Sequence, residues 1–305
     1  MSILLGIEIG GTKLQLVAGD ANGVIKERRR FNVDKARGGE GIREQIAGAL
    51  PELLALTKAT AIGVGFGGPV DCQTGQICCS HQIEGWSEFP IGDWLKKLSG
   101  LPVMIDNDAN TAAFGEALCG AGKGLNPVFY ITMGSGVGGG VVVDGRIYRG
   151  AKPGEAEIGH LRLDKSGTIV EDRCSGWAID RRIREVCAVS PQSKLAELTK
   201  TMTRGEASQL VAALQANDGV ARQILLETAQ DLAFALSHVT HLFHPEVIVL
   251  GGGVSLIGEP LRAEVARALP RFIMEAFHPG PQVKLAGLGE DAVPVGALKL
   301  AALAK

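Results

Sequence analysis

The sequence predicts an α/β fold built of two related lobes, and three observations carry that expectation. The first is a glycine-rich hairpin from Tyr130 to Gly145, in which Tyr130-Ile131-Thr132-Met133 runs through Gly134-Ser135-Gly136-Val137-Gly138-Gly139-Gly140 into Val141-Val142-Val143-Asp144-Gly145. The second is a matching unit at the N-terminus, where Leu4 to Ile9 runs through Gly10-Gly11-Thr12-Lys13 into Leu14 to Asp20. The third is the rest of the chain, in which short apolar runs alternate with stretches of helical spacing.

The glycines of the hairpin leave the loop backbone without side-chain cover, so its N–H groups can point at an anion such as a phosphate. Gly134, Gly136 and Gly139 spell G-x-G-x-x-G, but a dinucleotide fold needs a helix to open directly after them. Here Val141-Val142-Val143 is a β-branched run ending in an Asp-Gly turn, so the expected ligand is a phosphate chain laid across a hairpin. The N-terminal unit aligns with it: Gly10 on Gly134, Thr12 on Gly136, Asp20 on Asp144. Two such units suggest two lobes gripping one nucleotide. In a chain with 42 glycines two hairpins can also look alike by chance.

Composition bounds the class. With 305 residues, 46% hydrophobic and 21% charged, the chain has room for two domains and a sizeable core. A formal net charge of −2 and a pI near 6.3 lack the footprint of a nucleic-acid binder. The clusters Arg28-Arg29-Arg30 and Arg181-Arg182 with Arg184 are interleaved with Glu27, Asp180 and Glu185 and read as solvated faces. Gly6 and Glu8 interrupt the first apolar residues and no basic lead precedes them, so no signal peptide is expected; no run is long enough to span a bilayer, and the expected location is cytoplasmic, with no membrane partner. The six cysteines form no C-x-x-C pair and read as reduced, mostly buried thiols.

Taken in order, Val24 to Val33 reads as a third strand. A helix follows from about Gly41 to Lys58, with Ile42, Ile46, Leu50, Leu53, Leu54 and Leu56 on one face and Pro51 as a possible kink. Ala61 to Phe66 is a buried strand ending in Gly67-Gly68-Pro69-Val70-Asp71, where bare backbone suits either a ligand hydroxyl or a plain tight turn. Helix Pro90 to Leu98 and strand Leu101 to Ile105 lead to Asp106-Asn107-Asp108 and a helix to Cys119. One of those three residues is explained as a helix cap. The others lie beyond the carboxyl end of a strand, where open α/β sheets bind ligands. After the hairpin come Glu155-Ala156-Glu157-Ile158-Gly159-His160 and Glu171, side chains that in a loop are most often solvated. Helices are expected near 176–186, 193–198, 206–214 and 219–243, then strand Glu246 to Leu250 with Gly251-Gly252-Gly253, helix Leu261 to Phe277, strand Val283 to Ala286 and a closing helix from Val293 to Leu303.

The ordered set Gly6 to Lys13, Gly67 to Asp71, Asp106 to Asn110 with Gly115-Glu116, Thr132 to Gly140, Glu157 to His160 and Gly251 to Gly253 resembles the ROK family of sugar kinases across nearly the whole chain. The resemblance implies an actin-like ATPase (ribonuclease H-like) fold: two lobes with mixed five-stranded sheets and a central cleft for sugar and ATP. It places residues 1–118 and 291–305 in a small N-terminal lobe and 119–290 in a larger one. It further implies that Asp108 is the catalytic base and that Asn107, Glu157, His160 and Glu171 bind sugar hydroxyls, with Gly67 and Gly68 adding a backbone contact. The two phosphate loops are then Gly10-Gly11-Thr12, followed by Lys13, and Gly134-Ser135-Gly136, with Gly251, Gly252 and Gly253 on the nucleoside side. Glu8 stands where the family commonly has Asp and would meet Mg²⁺ directly or through water.

Many members also carry a cysteine-rich zinc motif after the Gly-His pair. Leu161 to Val170 has no cysteine, so no zinc is expected, and the ordering of that loop must fall to packing. The function implied is ATP-dependent phosphorylation of a hexose, glucose to glucose 6-phosphate first. N-acetylglucosamine, N-acetylmannosamine or fructose are alternative substrates, and a non-catalytic sugar sensor or regulator is the alternative of another class. Family repressors carry a helix-turn-helix ahead of the first phosphate strand, which this chain begins on. A homodimer is implied by the resemblance as well.

Overall fold

The computed structural model describes residues 2–80, 83–152 and 156–304. Strands β1 (Leu4–Ile9), β2 (Lys13–Gly19) and β3 (Ile25–Asn32) are followed by helix α1 (Gly38–Thr57), strand β4 (Ile62–Phe66) and a small hairpin of β5 (Val70–Asp71) and β6 (Gln76–Ile77). Helix α2 (Ile91–Ser99), strand β7 (Val103–Asn107) and helix α3 (Asp108–Cys119) complete the first group. The chain continues through β8 (Val128–Met133), β9 (Val137–Val143), β10 (Arg146–Ile147), helices α4 (Val170–Cys174), α5 (Gly176–Val189), α6 (Lys194–Thr199), α7 (Leu210–Gln215) and α8 (Gly219–Phe243). Strand β11 (Val247–Gly251), helix α9 (Glu259–Ala268), strand β12 (Gln282–Leu285) and helix α10 (Ala292–Ala301) close it.

The two five-stranded sheets share one topology. Their orders, β3-β2-β1-β4-β7 and β10-β9-β8-β11-β12, both read third, second, first, fourth, fifth. In the first, β2 runs antiparallel to β1 and β3, while β1, β4 and β7 are parallel. In the second, β8, β11 and β12 are parallel and β10 is antiparallel to β9. This is the doubled, mixed-sheet α/β fold expected from the paired hairpins. The turns differ in detail. Asp144 (φ 51°) and Gly145 (φ 68°) form a two-residue hairpin loop of the kind that needs positive φ twice, whereas Asp20 accepts hydrogen bonds from the Asn22 and Val24 N–H groups across a longer turn.

Two compact units result: residues 1–124, 140–156 and 287–305, and residues 125–139 and 157–286. The first therefore takes in 140–156, beyond the expected lobe limits. Gly140 backs onto Ala113 of α3, Arg149 pairs with Asp106, and Lys152 pairs with Asp71 at 2.9 Å. Its core is the apolar side of the sheet under α1, where Ile42, Ile46, Leu50 and Leu53 are buried against Leu14, Leu16, Val64 and Phe66. Leu56 does not join that face. It lies roughly 120° around the helix from Leu50 and is 59% exposed. Pro51 sits inside an unbroken helix on its exposed side, where the lost backbone bond faces water. The helix expected to reach Phe277 ends at Ala268, because Pro270 cannot donate to the preceding turn; short 3-10 turns follow. Among the described residues no helix is long and apolar enough to cross a membrane.

Helix α10 lies on β1, β4 and α3 at backbone distance. A Cβ on Gly63 would stand 1.9 Å from the Ala297 carbonyl oxygen, one on Gly296 1.8 Å from that of Thr111, and one on Gly115 2.5 Å from that of Ala292. Only glycine fits at these crossings. The loop expected to need packing is instead tied by hydrogen bonds: Asp164 Oδ1 accepts from Ser166 Oγ at 2.6 Å, Gly167 N–H at 2.9 Å and Thr168 N–H at 3.2 Å. These donors hold its carboxyl well below the usual range. Backbone bonds Leu163 to Thr168 and Val170 to Leu161 finish a small hairpin.

Gly63→Ala should therefore lower stability by at least about 2 kcal/mol in urea unfolding, as overpacking against rigid backbone does. Asp164→Ala should speed hydrogen exchange at 166–170 while leaving the thermal midpoint nearly unchanged; a protected loop in that variant would show that its order comes from elsewhere.

Candidate active site

In the first unit, three parallel strands deliver their ends to one sheet edge. Ile9 pairs with Phe66 and Phe66 with Asn107 in register, so Gly10, Gly67 and Asp108 all begin the chain just beyond that edge. The approach is close: a Cβ on Gly67 would lie 3.3 Å from the Ile9 carbonyl oxygen, 3.4 Å from Asp108 Oδ2 and 3.6 Å from Gly10 Cα. The Gly10-Gly11-Thr12 turn is tight, with the Gly10 N–H donating to the Lys13 carbonyl at 3.0 Å, and the Gly67 N–H donates to the Ile9 carbonyl at 2.8 Å. The Gly10-Gly11-Thr12 turn, the Gly67-Gly68 backbone and Asp108 thus converge.

Asn107 is the cap of α3. Its Oδ1 accepts from the Ala109 and Asn110 N–H groups at 2.8 and 3.2 Å, and its Nδ2 donates to the Gly68 carbonyl at 3.3 Å. Asp108, half-buried, occupies the first turn, where exposed N–H groups favour negative charge; its Oδ1 accepts from Ala109 N–H at 2.8 Å. Ser80, Ile83 and Trp86 line a narrow pocket with Gly10, Gly11 and Gly67. His81 and Gln82, and Glu155 of the Glu155–His160 stretch, lie outside the described residues.

Glu8 is held by residues that sequence reasoning missed. Its Oε2 accepts from Gln15 Nε2 at 2.6 Å, and its Oε1 has Lys13 Nζ at 3.4 Å. Gln15, fully buried, accepts at its Oε1 from Arg28 at 2.9 Å and Arg30 Nε at 2.7 Å. Glu8, Gln15 and Arg30 are cross-strand neighbours in register, so the ladder follows from strand pairing. Arg28 is consequently half-buried among its acceptors, whereas Arg30, though bonded to Gln15, keeps its side chain 52% exposed. The period of two along β3 was the available signal, since it sends 28 and 30 to one face and 29 to the other. Likewise Arg184 reaches buried Glu206 at 2.6 Å and Arg182 meets Glu227. Burial raises the Glu8 carboxyl above its ordinary value, opposed by Lys13 and the Gln15 bond. The donor set suits Mg²⁺ carried by a nucleotide: one carboxylate oxygen, loosely engaged, beside a phosphate loop.

In the second unit, the Gly134-Ser135-Gly136 turn is clamped on several sides. Gly134 N–H donates to the Gly136 carbonyl at 2.8 Å, and the Gly134 carbonyl accepts from the Gly176 N–H at 2.7 Å. Glu171 Oε2 accepts from the Val137 N–H at 2.8 Å and would lie 2.5 Å from a Cβ on Gly136. Glu171 is thus placed on the Gly134-Ser135-Gly136 turn. Gly159 backs onto the Val137 carbonyl, which brings the turn Glu157 to His160 beside the same loop, with both of those side chains exposed. Gly251 and Gly252 abut Tyr130 and Met133; Gly252 (φ 78°) would put a Cβ 2.5 Å from the Met133 nitrogen, and Gly253 is exposed.

Comparison with known proteins identifies the family. The ROK family matches residues 4–304. The chain is 32% identical to a glucokinase of Halalkalibacterium halodurans over 306 residues, covering 96% of this chain and 92% of that protein. It is 30% identical to a glucokinase of Thermotoga maritima, covering 97% and 96%. Among solved structures it is similar to a ROK family glucokinase from Streptomyces griseus in complex with glucose and AMPPNP, at 30% identity, a TM-score of 0.85 and coverage of 99% and 100%. With two five-stranded sheets of one topology, each opening on a glycine-turn hairpin, and a family match over nearly its whole length, this chain belongs to the ROK family and has its actin-like ATPase fold.

Proposed function

We propose that this chain, an ATP-dependent sugar kinase, phosphorylates glucose at its 6-hydroxyl with Asp108 as general base. The observation that carries the reading is the convergence of Asp108 Oδ2 with Gly67 and Gly10 at the end of three parallel strands. Phosphoryl transfer has a loose transition state, so positioning and charge stabilisation supply most of the acceleration. The glycine turns offer backbone N–H groups to the phosphates, and Asp108 accepts the proton of the attacking hydroxyl. Glu171, bound to the second loop through Val137, reaches the sugar from the backbone that also holds phosphate, and Glu157, His160, Asn107 and the Gly67-Gly68 backbone are the remaining sugar contacts in this reading. Gly251 to Gly253 serve the nucleoside. Mg²⁺, when bound, neutralises charge on the phosphates. Glucose is chosen because the glucokinase relatives span the whole chain. A homodimer and a cytoplasmic location complete the proposal, the first readable by sedimentation.

A coupled assay over glucose, fructose, N-acetylglucosamine and N-acetylmannosamine tests the substrate, with glucose expected to give the highest kcat/KM. Sugar binding without turnover of any of them would identify a sensor instead. Asp108→Asn should lower kcat by roughly 10²- to 10⁴-fold while glucose still quenches or enhances tryptophan fluorescence at the wild-type midpoint. Gln15→Leu should weaken Mg²⁺-dependent ADP binding several-fold in calorimetry without changing the glucose KM; equal affinities with and without the substitution would detach Glu8 from the metal.

A further inference from the structure

Asp106 is the member of the Asp106-Asn107-Asp108 triplet that neither caps the helix nor stands at the sheet edge as a base. It is 1% exposed and its acceptor capacity is full. Oδ1 accepts from the Asn107 N–H at 2.9 Å and from Asn110 Nδ2 at 3.0 Å; Oδ2 accepts from Arg149 Nε at 2.7 Å and from Arg149 Nη2. A carboxylate offers about four lone-pair sites, so none remains for a ligand. Its chemistry is spent inside the protein. One oxygen fixes the first turn of α3, where Asn107 and Asp108 sit, and the other fixes the chain leaving β10.

That second attachment is reinforced. Three residues after Arg149, Lys152 Nζ meets Asp71 Oδ2 at 2.9 Å, so two cations of one short segment are each tied to a carboxylate of β5 or β7. Between them Gly150 turns the chain at φ 65°. The Asp71 pair is exposed and contributes little. The Asp106 pair is different, because removing either partner leaves a buried charge or a guanidinium without its acceptor.

We propose that Asp106 and Arg149 are positioning residues for sugar phosphorylation, which hold the first turn of α3, and with it the Asp108 carboxylate, in its reacting orientation from beneath. The proposal rests on Asp108 being the base. The charged and titratable groups around Asp106 are Arg149, with Cys72 and Asp71 farther along the β5–β6 hairpin and Lys152 beyond Asp71. Burial pushes the Asp106 carboxyl up, and Arg149 is the largest opposing influence. Without Arg149 the carboxyl rises further and takes a proton at higher pH. The contacts to Asn110 and Asn107 then weaken at a pH where the wild type still holds them.

The test is a set of Arg149→Gln, Arg149→Lys, Asp106→Asn and the Asp106→Asn/Arg149→Gln double variant, assayed for kcat, both KM values and the pH profile, with thermal midpoints measured alongside. Arg149→Gln and Asp106→Asn should each lower kcat roughly tenfold at unchanged ATP KM, with Arg149→Lys between wild type and Arg149→Gln because an ammonium cannot place two planar N–H groups on one oxygen. The acid limb of kcat in Arg149→Gln should move to higher pH. The neutral double variant should lose less than the product of the two singles. If Asp106→Asn fails to fold, the half-exposed Arg149 variants decide alone. An unmoved acid limb in Arg149→Gln with kcat per folded molecule near wild type overturns the proposal and leaves a structural ion pair. Should Asp108→Asn itself retain turnover, the base assignment fails instead, and that variant separates the two failures.

Discussion

Backbone lying directly on backbone is the constraint from which the first unit takes its geometry. Helix α10 can approach β4 and α3 as closely as it does because Gly63, Gly296 and Gly115 present no side chain where a Cβ would fall within 1.8 to 2.5 Å of a carbonyl oxygen. Protein interiors transmit such contacts with little give. Helix α3 is therefore fixed along its length by the last helix of the chain, and its first turn, carrying Asn107 and Asp108, inherits that fixation. A second anchor lies at the other end of α3. Glu116, fully buried, accepts from the N–H groups of Ala121, Gly287 and Leu288 at 2.8, 3.0 and 2.8 Å, binding the helix to both chain segments that flank the second unit.

Acidic groups in this protein are held in two physically distinct ways. Glu116, Glu171 and Asp164 are satisfied mainly by backbone N–H donors, which cost no mobile cation and set the path of a loop. Glu8 and Asp106 are satisfied by side chains arriving from neighbouring strands or from a distant turn, and both lie under burial that raises their carboxyls. The first device builds architecture. The second places charge next to the Gly10-Gly11-Thr12 turn and next to Asp108, the proposed base, where its orientation would matter to chemistry. The exposed ion pairs elsewhere, such as Lys194 with Glu197, carry little weight beside these.

The absence of the cysteine motif from the sequence had left the segment after His160 without an ordering principle. Asp164 supplies it, through three short-range donors and a two-bond hairpin, and this local solution places Val170 in the core and Glu171 against Val137.

The sequence by itself determined the family, the doubled sheet and both glycine turns, because these demands are local: a turn without side chains must be written as glycine, and a strand to either side as an apolar run. It also marked Asn107 and Asp108, since a cap and a first-turn carboxylate are neighbours in the chain. Tertiary structure alone decided what Gln15, Arg28, Arg30, Asp106 and Arg149 do. The bonds joining Gln15 to Arg28 and Arg30, and Asp106 to Arg149, span 13 to 43 positions, so they exist only once strand order and register have brought these residues together. Glu171 is the intermediate case. Its type and place in the motif order were legible, whereas its attachment to the Val137 N–H depended on how the loop before it closed.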